Sequence, residues 1–273
     1  MPFVIDVDPV AFTVLGIPVR WYGLILVVAI VGAVGIAQRA AGLRGISSKD
    51  VSDGAIWVGI AALVGGRLLF VVQNELPTLV DHPAILAMVW MGGLSFYGGL
   101  IGGLIALTIF ARRRGLSVLA VLDVTAPAAA IGQAIGHVGC LIGGDSYGIR
   151  TDLPWAVIYR NSATMAPQGI PLHPTQAYEA ILIALLFAAI WLARTRLQQL
   201  GDGVTASAYL LGLAAIRFGL FFLRDEAPVF MGLKTAQWLG VGIAVAAVAM
   251  YIVARARARS IDIPSIQPEG SIP

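Results

Sequence analysis

Long apolar runs dominate this chain and decide what it can become. Seven lie near residues 21–40, 52–73, 85–111, 118–142, 174–195, 203–223 and 235–254. Each is about as long as a helix that crosses the hydrocarbon core of a bilayer. A backbone in lipid must satisfy its own hydrogen bonds, which leaves helices or closed barrels. Runs this continuous lack the apolar–polar alternation of barrel strands. The expected fold class is therefore an all-α integral membrane protein with seven transmembrane helices. Composition agrees: 58% of residues are hydrophobic and 12% charged, against about 25% charged in soluble domains. One transmembrane domain is expected over residues 1–259. The polar, proline-containing tail 260–273 reads as disordered and cytoplasmic.

The basic residues assign the sides. Arg39, Arg44, Lys49, Arg112, Arg113, Arg114, Arg194, Arg196, Arg255, Arg257 and Arg259 follow spans one, three, five and seven, which places 11 on one side. The other side has 5: Arg20, Arg150, Arg160, Arg224 and Lys234. The positive-inside rule then puts the N-terminus outside and the C-terminus in the cytoplasm. The net charge of +3 is spread over span ends, so it reads as a topology signal and not as a nucleic-acid patch. No cleavable signal peptide is read, because the run after Arg20 is followed by further apolar runs. A single cysteine forbids an intrachain disulfide. The outer segments 1–20 and 144–172 are the sizeable ones, and Trp155 and Tyr159 in the latter suit an interfacial position. Function carried by loops is expected outside.

Arg67, Asp123, His137, Glu179 and Arg217 fall in or beside spans. Insertion of such a group costs roughly 2.5–3.5 kcal/mol, so each needs a partner or a polar cavity. For Arg67, Asp123 or Glu179 is the expected acid. Arg217 and Arg224 are two helical turns apart in "AIRFGLFFLRD" and would share one face. Two planar guanidiniums at that depth suit a lipid phosphate, although Arg224 alone would serve as an interfacial anchor. In "HPTQAYE", Pro174 suits a first helical turn, and Gln176 and Glu179 share a face with His173 at the mouth. In "WMGGLSFYGGLIGGL", Gly98 with Gly102 and Gly99 with Gly103 predict close helix approach, with Tyr97 beside it.

Residues 136–148, "GHVGCLIGGDSYG", carry five glycines, which predict a helix break at the outer end of span four. Glycine also lets main-chain N–H groups approach an anion. His137 offers a general base or a donor. Cys140 reads as packing, since small buried cysteines are common and nothing nearby marks it as a nucleophile.

These segments together resemble the prolipoprotein diacylglyceryl transferase family. "RWYGL" at 20–24, "GGRLLFV" at 65–71, "GGLSFYGGLIGG" at 92–103, "DVTAPAAAIGQAIG" with "HVGCLIGGDSYG", "LPWAV", "HPTQAYE", "IRFGLFFLRD" and "TAQW" follow the family's order over nearly the whole chain. The resemblance implies transfer of a diacylglyceryl group from phosphatidylglycerol to the lipobox cysteine of a prolipoprotein, at the outer face of the bacterial plasma membrane. The partners implied are phosphatidylglycerol, the precursor's signal peptide and membrane lipids. No metal and no organic cofactor are implied. Carried over by position, Arg217 and Arg224 would hold the headgroup. Tyr22, His173, Gln176, Gly144 and Asp145 would line the phospholipid site, and His137, Tyr97 and Glu179 would be catalytic.

The chain departs from the family pattern at several of these places. His137 stands where the signature has an arginine regarded as essential, Cys140 where it has asparagine, and Asp145 where it has glutamate. Tyr97 stands where typical members have histidine. Histidine replaces a bidentate, permanently charged phosphate ligand only in part, a loss of about 2–4 kcal/mol at a buried transition state. Two functions therefore stay open: a divergent active transferase, and a non-catalytic homologue acting as a lipid-binding structural or accessory subunit of a membrane complex. A transporter is disfavoured by the absence of visible repeat symmetry.

Overall fold

The computed structural model describes residues 2–88 and 93–261. It is mostly helical, and six helical stretches are long and apolar enough to cross a membrane: Trp21–Arg44, Ser48–Asn74, Val118–Gly143, Thr175–Gln199, Val204–Leu223 and Thr235–Arg259. They fall on six of the seven apolar runs. The run at 85–111 turns out differently. Residues Pro83–Ala87 form a 3-10 turn, and the helix begins only at Phe96. Ser95 is its N-cap, its side chain accepting from the Gly98 N–H at 3.4 Å. Gly93, with φ +77°, breaks the chain just before it. The tail 262–273 lies outside the described residues, and the last helix reaches Ile261.

Contacts divide the chain into two compact units, Met1–Ile36 with Thr125–Pro273 and Ala37–Val124. The first contains a small sheet in which β1 (Phe3–Ile5) runs parallel to β4 (Val157–Tyr159), and β4 pairs antiparallel with β5 (Pro171–Leu172). A hairpin of β2 (Val10–Val14) and β3 (Ile17–Arg20) leads directly into α1 (Trp21–Ala41). Tyr159, expected at the membrane interface, is 1% exposed instead. Its ring packs with Val157, Ala166 and Leu172, and its hydroxyl donates to the Leu141 carbonyl at 2.8 Å. Its aromatic ring meets a core and its polar tip a buried acceptor, so it has no need of the interface. Trp155 is exposed.

The second unit is organised by α2 (Ser48–Asn74) against α4 (Phe96–Arg113), with the short α3 (Leu76–Asp81) between them in sequence. The small-residue contact expected from the glycine pairs is present. A Cβ on Gly65 would collide with the Gly98 carbonyl, one on Gly98 with the Gly65 carbonyl, and one on Gly102 with the Ala61 carbonyl. Buried Arg67 donates to the carbonyls of Ile85 at 2.8 Å and Gly93 at 3.2 Å. Asp123, one of the acids expected for it, is engaged by Arg44 at 2.5 Å. Glu179, the other, belongs to the first unit.

The remaining helices are α5 (Val118–Gly143), α6 (Thr175–Gln199), α7 (Val204–Leu220) and α8 (Thr235–Ile261). In the first unit α7 packs on both α6 and α8. The break expected within 136–148 comes late. The backbone stays helical through Gly136 and Gly139 to Gly143, and turns at Gly144 (φ +73°) and Ser146 (φ +58°). Gly139 serves packing, since a Cβ there would lie 3.0 Å from the Tyr22 ring.

Candidate active site

Glu179 sits just inside α6, where the helix start buries it. The carboxylate is 1% exposed. Three cationic or ionisable groups from three different segments converge on it. Arg217 of α7 brings Nε to 3.1 Å from Oε1, Arg224 brings Nη1 to 3.2 Å from Oε2, and His137 of α5 brings Nε2 to 3.5 Å from Oε1. A buried carboxylate needs such pairing to stay ionised.

The two arginines do not share a helix face, as their spacing suggested. α7 ends at Leu220, Phe221–Leu223 form a 3-10 turn, and Arg224 is extended at φ −78°, ψ 144°. The bend carries Arg224 back onto the carboxylate that Arg217 also meets, instead of leaving it two turns up. Arg224 stacks over the Phe221 ring at 4.7 Å and reaches the exposed Glu226 at 3.6 Å through Nε. Arg217 keeps 27% side-chain exposure. Inside the cluster, both guanidiniums meet the one buried carboxylate, while Glu226 reaches Arg224 from the exposed side. Two planar, permanently charged donors brought together suit an oxyanion or phosphate.

The loop after α5 is pinned from beneath by α6. Thr175 Oγ1 donates to the Ser146 carbonyl at 2.6 Å. Gln176, wholly buried, donates through Nε2 to the Asp145 carbonyl at 2.5 Å and to the Tyr159 hydroxyl at 3.4 Å. Among the buried atoms in this region that make no protein hydrogen bond are His137 Nδ1, Asp145 Oδ1, Gln176 Oε1 and, on the donor side, Arg224 Nε. Leaving a buried polar atom unsatisfied costs about 1–3 kcal/mol, so the region suits a polar ligand or solvent. Gly144 and Asp145 thus lie on a loop whose carbonyls are taken by α6 and whose side-chain acceptor is left over.

Gly148 links this loop to Arg224. Its N–H donates to the His173 carbonyl at 3.0 Å, and it pairs with Arg224 in an antiparallel bridge. A Cβ at Gly148 would lie 2.6 Å from His173 Cβ and 2.7 Å from the Leu223 carbonyl oxygen. The glycine is there because two chain segments close on it from either side. His173 itself is half-buried. Its Nδ1 lies 3.4 Å from the Tyr178 hydroxyl, whose oxygen accepts from Trp155 Nε1 at 2.7 Å. Partial burial holds the His173 imidazole below its ordinary pKa, towards the neutral form. Burial likewise raises the pKa of the Tyr159 phenol, keeping it protonated as a donor.

The structure thus gathers His137, Glu179, Arg217 and Arg224 in direct contact, and joins Gln176, Gly144, Asp145 and His173 to them through the loop and bridge. Half-exposed Tyr22 packs on α5 through Gly139. Tyr97 belongs to the second unit, half-exposed on α4 and edge-on to Phe96. Tyr159 and Lys234 are structural contributors that the sequence did not assign to the site. Their roles depend on carbonyls brought near by folding, and no spacing signals that. Among the described residues, no group of three or more His, Cys, Asp and Glu side chains could hold a metal ion.

A model of the family described as prolipoprotein diacylglyceryl transferase matches residues 9–253 of this chain. The chain belongs to the prolipoprotein diacylglyceryl transferase family. Among its relatives, a phosphatidylglycerol–prolipoprotein diacylglyceryl transferase of Azotobacter vinelandii is 37% identical over 244 residues, covering 87% of this chain and 88% of that protein. One of Geobacter sulfurreducens is 35% identical over 221 residues, covering 80% and 83%. One of Nitrosomonas europaea is 34% identical over 246 residues, covering 86% and 85%. All the groups that meet Glu179 lie inside the span that the transferase family model matches.

Proposed function

We infer that this chain transfers the diacylglyceryl group of phosphatidylglycerol to the cysteine thiol of a prolipoprotein lipobox. The observation that carries the reading is the convergence of Arg217 and Arg224 on one buried carboxylate, which brings two guanidinium donors together where a phosphodiester can be held. The arginines hold the phosphate of the lipid. His137 presents Nε2 to Glu179, which favours the proton on that nitrogen and leaves Nδ1 as the basic one. Nδ1 takes the thiol proton, and Glu179 stabilises the imidazolium, an arrangement worth roughly 10²–10⁴-fold. The thiolate sulfur attacks the glyceryl carbon, and the bond from that carbon to the phosphate oxygen breaks. The oxygen keeps the electron pair and leaves as glycerol 1-phosphate, facing the guanidiniums, and a thioether remains. The proton on His137 passes to the departing phosphate or to solvent, which closes the balance. Tyr97 is assigned to the same reaction by its third-helix motif.

We place the chain in the bacterial plasma membrane with seven spans, α4 being the third. Its 18 residues make a helix of about 27 Å, close to the roughly 30 Å hydrocarbon core. The bias of basic residues, 11 against 5, supports an outer N-terminus and a cytoplasmic C-terminus, with the Glu179 cluster towards the outer face.

The test is transfer by the purified chain in vesicles of phosphatidylglycerol labelled in its acyl chains, with a lipobox peptide as acceptor. Labelled peptide and released glycerol 1-phosphate are expected in equal amounts. A folded wild-type protein that binds the lipid and labels no peptide refutes the enzymatic reading in favour of an accessory lipid-binding role.

A further inference from the structure

The turn that presents Arg224 ends in carbonyls with no helical partner. α7 stops at Leu220 and the 3-10 turn at Leu223, so the oxygens of Phe218 and Arg224 need donors from elsewhere, and that of Phe221 has only the Arg224 N–H at 3.3 Å. Two side chains at the start of α8 supply them. Gln237, wholly buried, donates through Nε2 to the Phe218 carbonyl at 3.1 Å, and its Oε1 accepts from the Lys234 N–H at 2.9 Å. Lys234 donates through Nζ to the Phe221 carbonyl at 2.6 Å and to the carbonyl of Arg224 itself at 2.5 Å.

Lys234 therefore grips both ends of the segment that carries the phosphate-facing arginine and the ring it stacks on. Phe221 supplies the platform under the guanidinium, and Arg224 supplies the guanidinium. One ammonium fixes the main chain of both. Opposite this grip, the Gly148 bridge holds the other edge of Arg224's backbone. The Lys234 ammonium meets carbonyls, so its positive charge stays beside Arg224. A cation at a helix C-terminus is also favoured by the helix dipole, which strengthens the grip without neutralising it.

We propose that Lys234 is a positioning residue for phospholipid recognition: it clamps the Phe221–Arg224 turn so that the Arg224 guanidinium is held in place for an anionic headgroup. The proposal rests on the assignment of Arg224 to the phosphate. It requires Lys234 to act through Arg224, which a merely stabilising lysine would not do.

The test is a double-mutant cycle on the full chain, read by calorimetric binding of short-chain phosphatidylglycerol and by transfer kinetics. Lys234→Met is expected to weaken binding about tenfold, which corresponds to about 1.4 kcal/mol, and to raise KM in parallel while kcat stays within about twofold. Lys234→Arg, which keeps charge and donors, is expected to bind as the wild type does. In an Arg224→Ala background, Lys234→Met is expected to have no further effect, because coupled residues are non-additive. If Lys234→Met does not fold, Lys234→Gln, which retains a donor, carries the cycle. Equal weakening in both backgrounds, or wild-type binding by Lys234→Met, overturns the proposal. A wild-type chain that binds the lipid but transfers nothing refutes the transferase reading and leaves the cycle readable through binding. A wild-type chain that does not bind the lipid overturns both.

Discussion

Replacing Glu179 with Gln separates what the carboxylate does for the protein from what it does for the substrate. The amide keeps the shape and one oxygen acceptor, and loses the charge. At present that charge is shared by Arg217 at 3.1 Å, Arg224 at 3.2 Å and His137 at 3.5 Å, around a carboxylate with almost no exposure. A unit-charge pair near 4 Å is worth about 4 kcal/mol at an effective dielectric of 20, but desolvation has already removed several kcal/mol per ion. Breaking a buried pair by neutralising one partner costs about 3–5 kcal/mol, because the other charge is left uncompensated. Here two guanidiniums lose that partner, Arg224 keeping the exposed Glu226 at 3.6 Å. Glu179→Gln should therefore lower stability in the absence of lipid by that order. A phosphodiester can then supply the missing negative charge, so the variant should bind phosphatidylglycerol at least as tightly as the wild type. The lipid should also raise its melting temperature more than it raises that of the wild type. Transfer should fall by two orders of magnitude or more, since the His137 imidazolium loses its partner. The assays are thermal melting with and without phosphatidylglycerol, lipid binding, and labelled-peptide transfer, all on the same preparation. A variant that binds the lipid more weakly and transfers in proportion would refute the reasoning, because Glu179 would then be contributing to the ligand site and not balancing it.

Gly148→Ala forces a methyl group against His173 Cβ and the Leu223 carbonyl at under 3 Å. The overpacking should cost about 1–3 kcal/mol in melting experiments, and displacement of Arg224 should cost about 100-fold in transfer; an alanine variant with wild-type kinetics would show that the bridge does not set the site. His137→Arg restores the residue of the family signature but removes the basic nitrogen. It should tighten phosphatidylglycerol binding while lowering kcat, and a rise in kcat would assign the proton to another base. Because burial lowers the His173 pKa below its ordinary value near 6.5, the unfolded chain binds the extra proton more readily than the native one. The stability tied to this group is therefore complete above about pH 6.5 and lost as the pH falls below it. His173→Gln should flatten that part of the melting-temperature profile between pH 7.5 and 5.5, and an unchanged slope would rule His173 out as its source.

How much of this was legible in the sequence depended on whether the signal was local. Helix positions were, since a long uninterrupted apolar run favours a helix, and six runs became helices close to their expected limits. In the run at 85–111 the helix begins only at Phe96, because hydropathy does not register Ser95 and Gly93, a cap and a left-handed glycine just ahead of it. The glycine spacing in α4 correctly announced a close helix contact, because only backbone approach requires small residues every fourth position. Arg217 and Arg224 were legible as a pair, but helical spacing placed them in a line. The chain leaves the helix between them and brings both to one carboxylate. Glu179 was identifiable as a polar residue in an apolar segment, yet its three partners come from segments far apart in sequence. Tyr159 and Lys234 bind main-chain carbonyls, and a carbonyl leaves no trace in residue identity.

The parallel pairing of β1 with β4 has a consequence for the order in which the molecule is completed. Phe3 aligns with Val157 and Ile5 with Tyr159, so β1 must wait until α1 through α5 have been synthesised and β4 has emerged. Until then it is an unpaired edge, the kind of strand that seeks any available partner. Its position beside Tyr159 also ties β1 to the residue that supports Gln176 under the site.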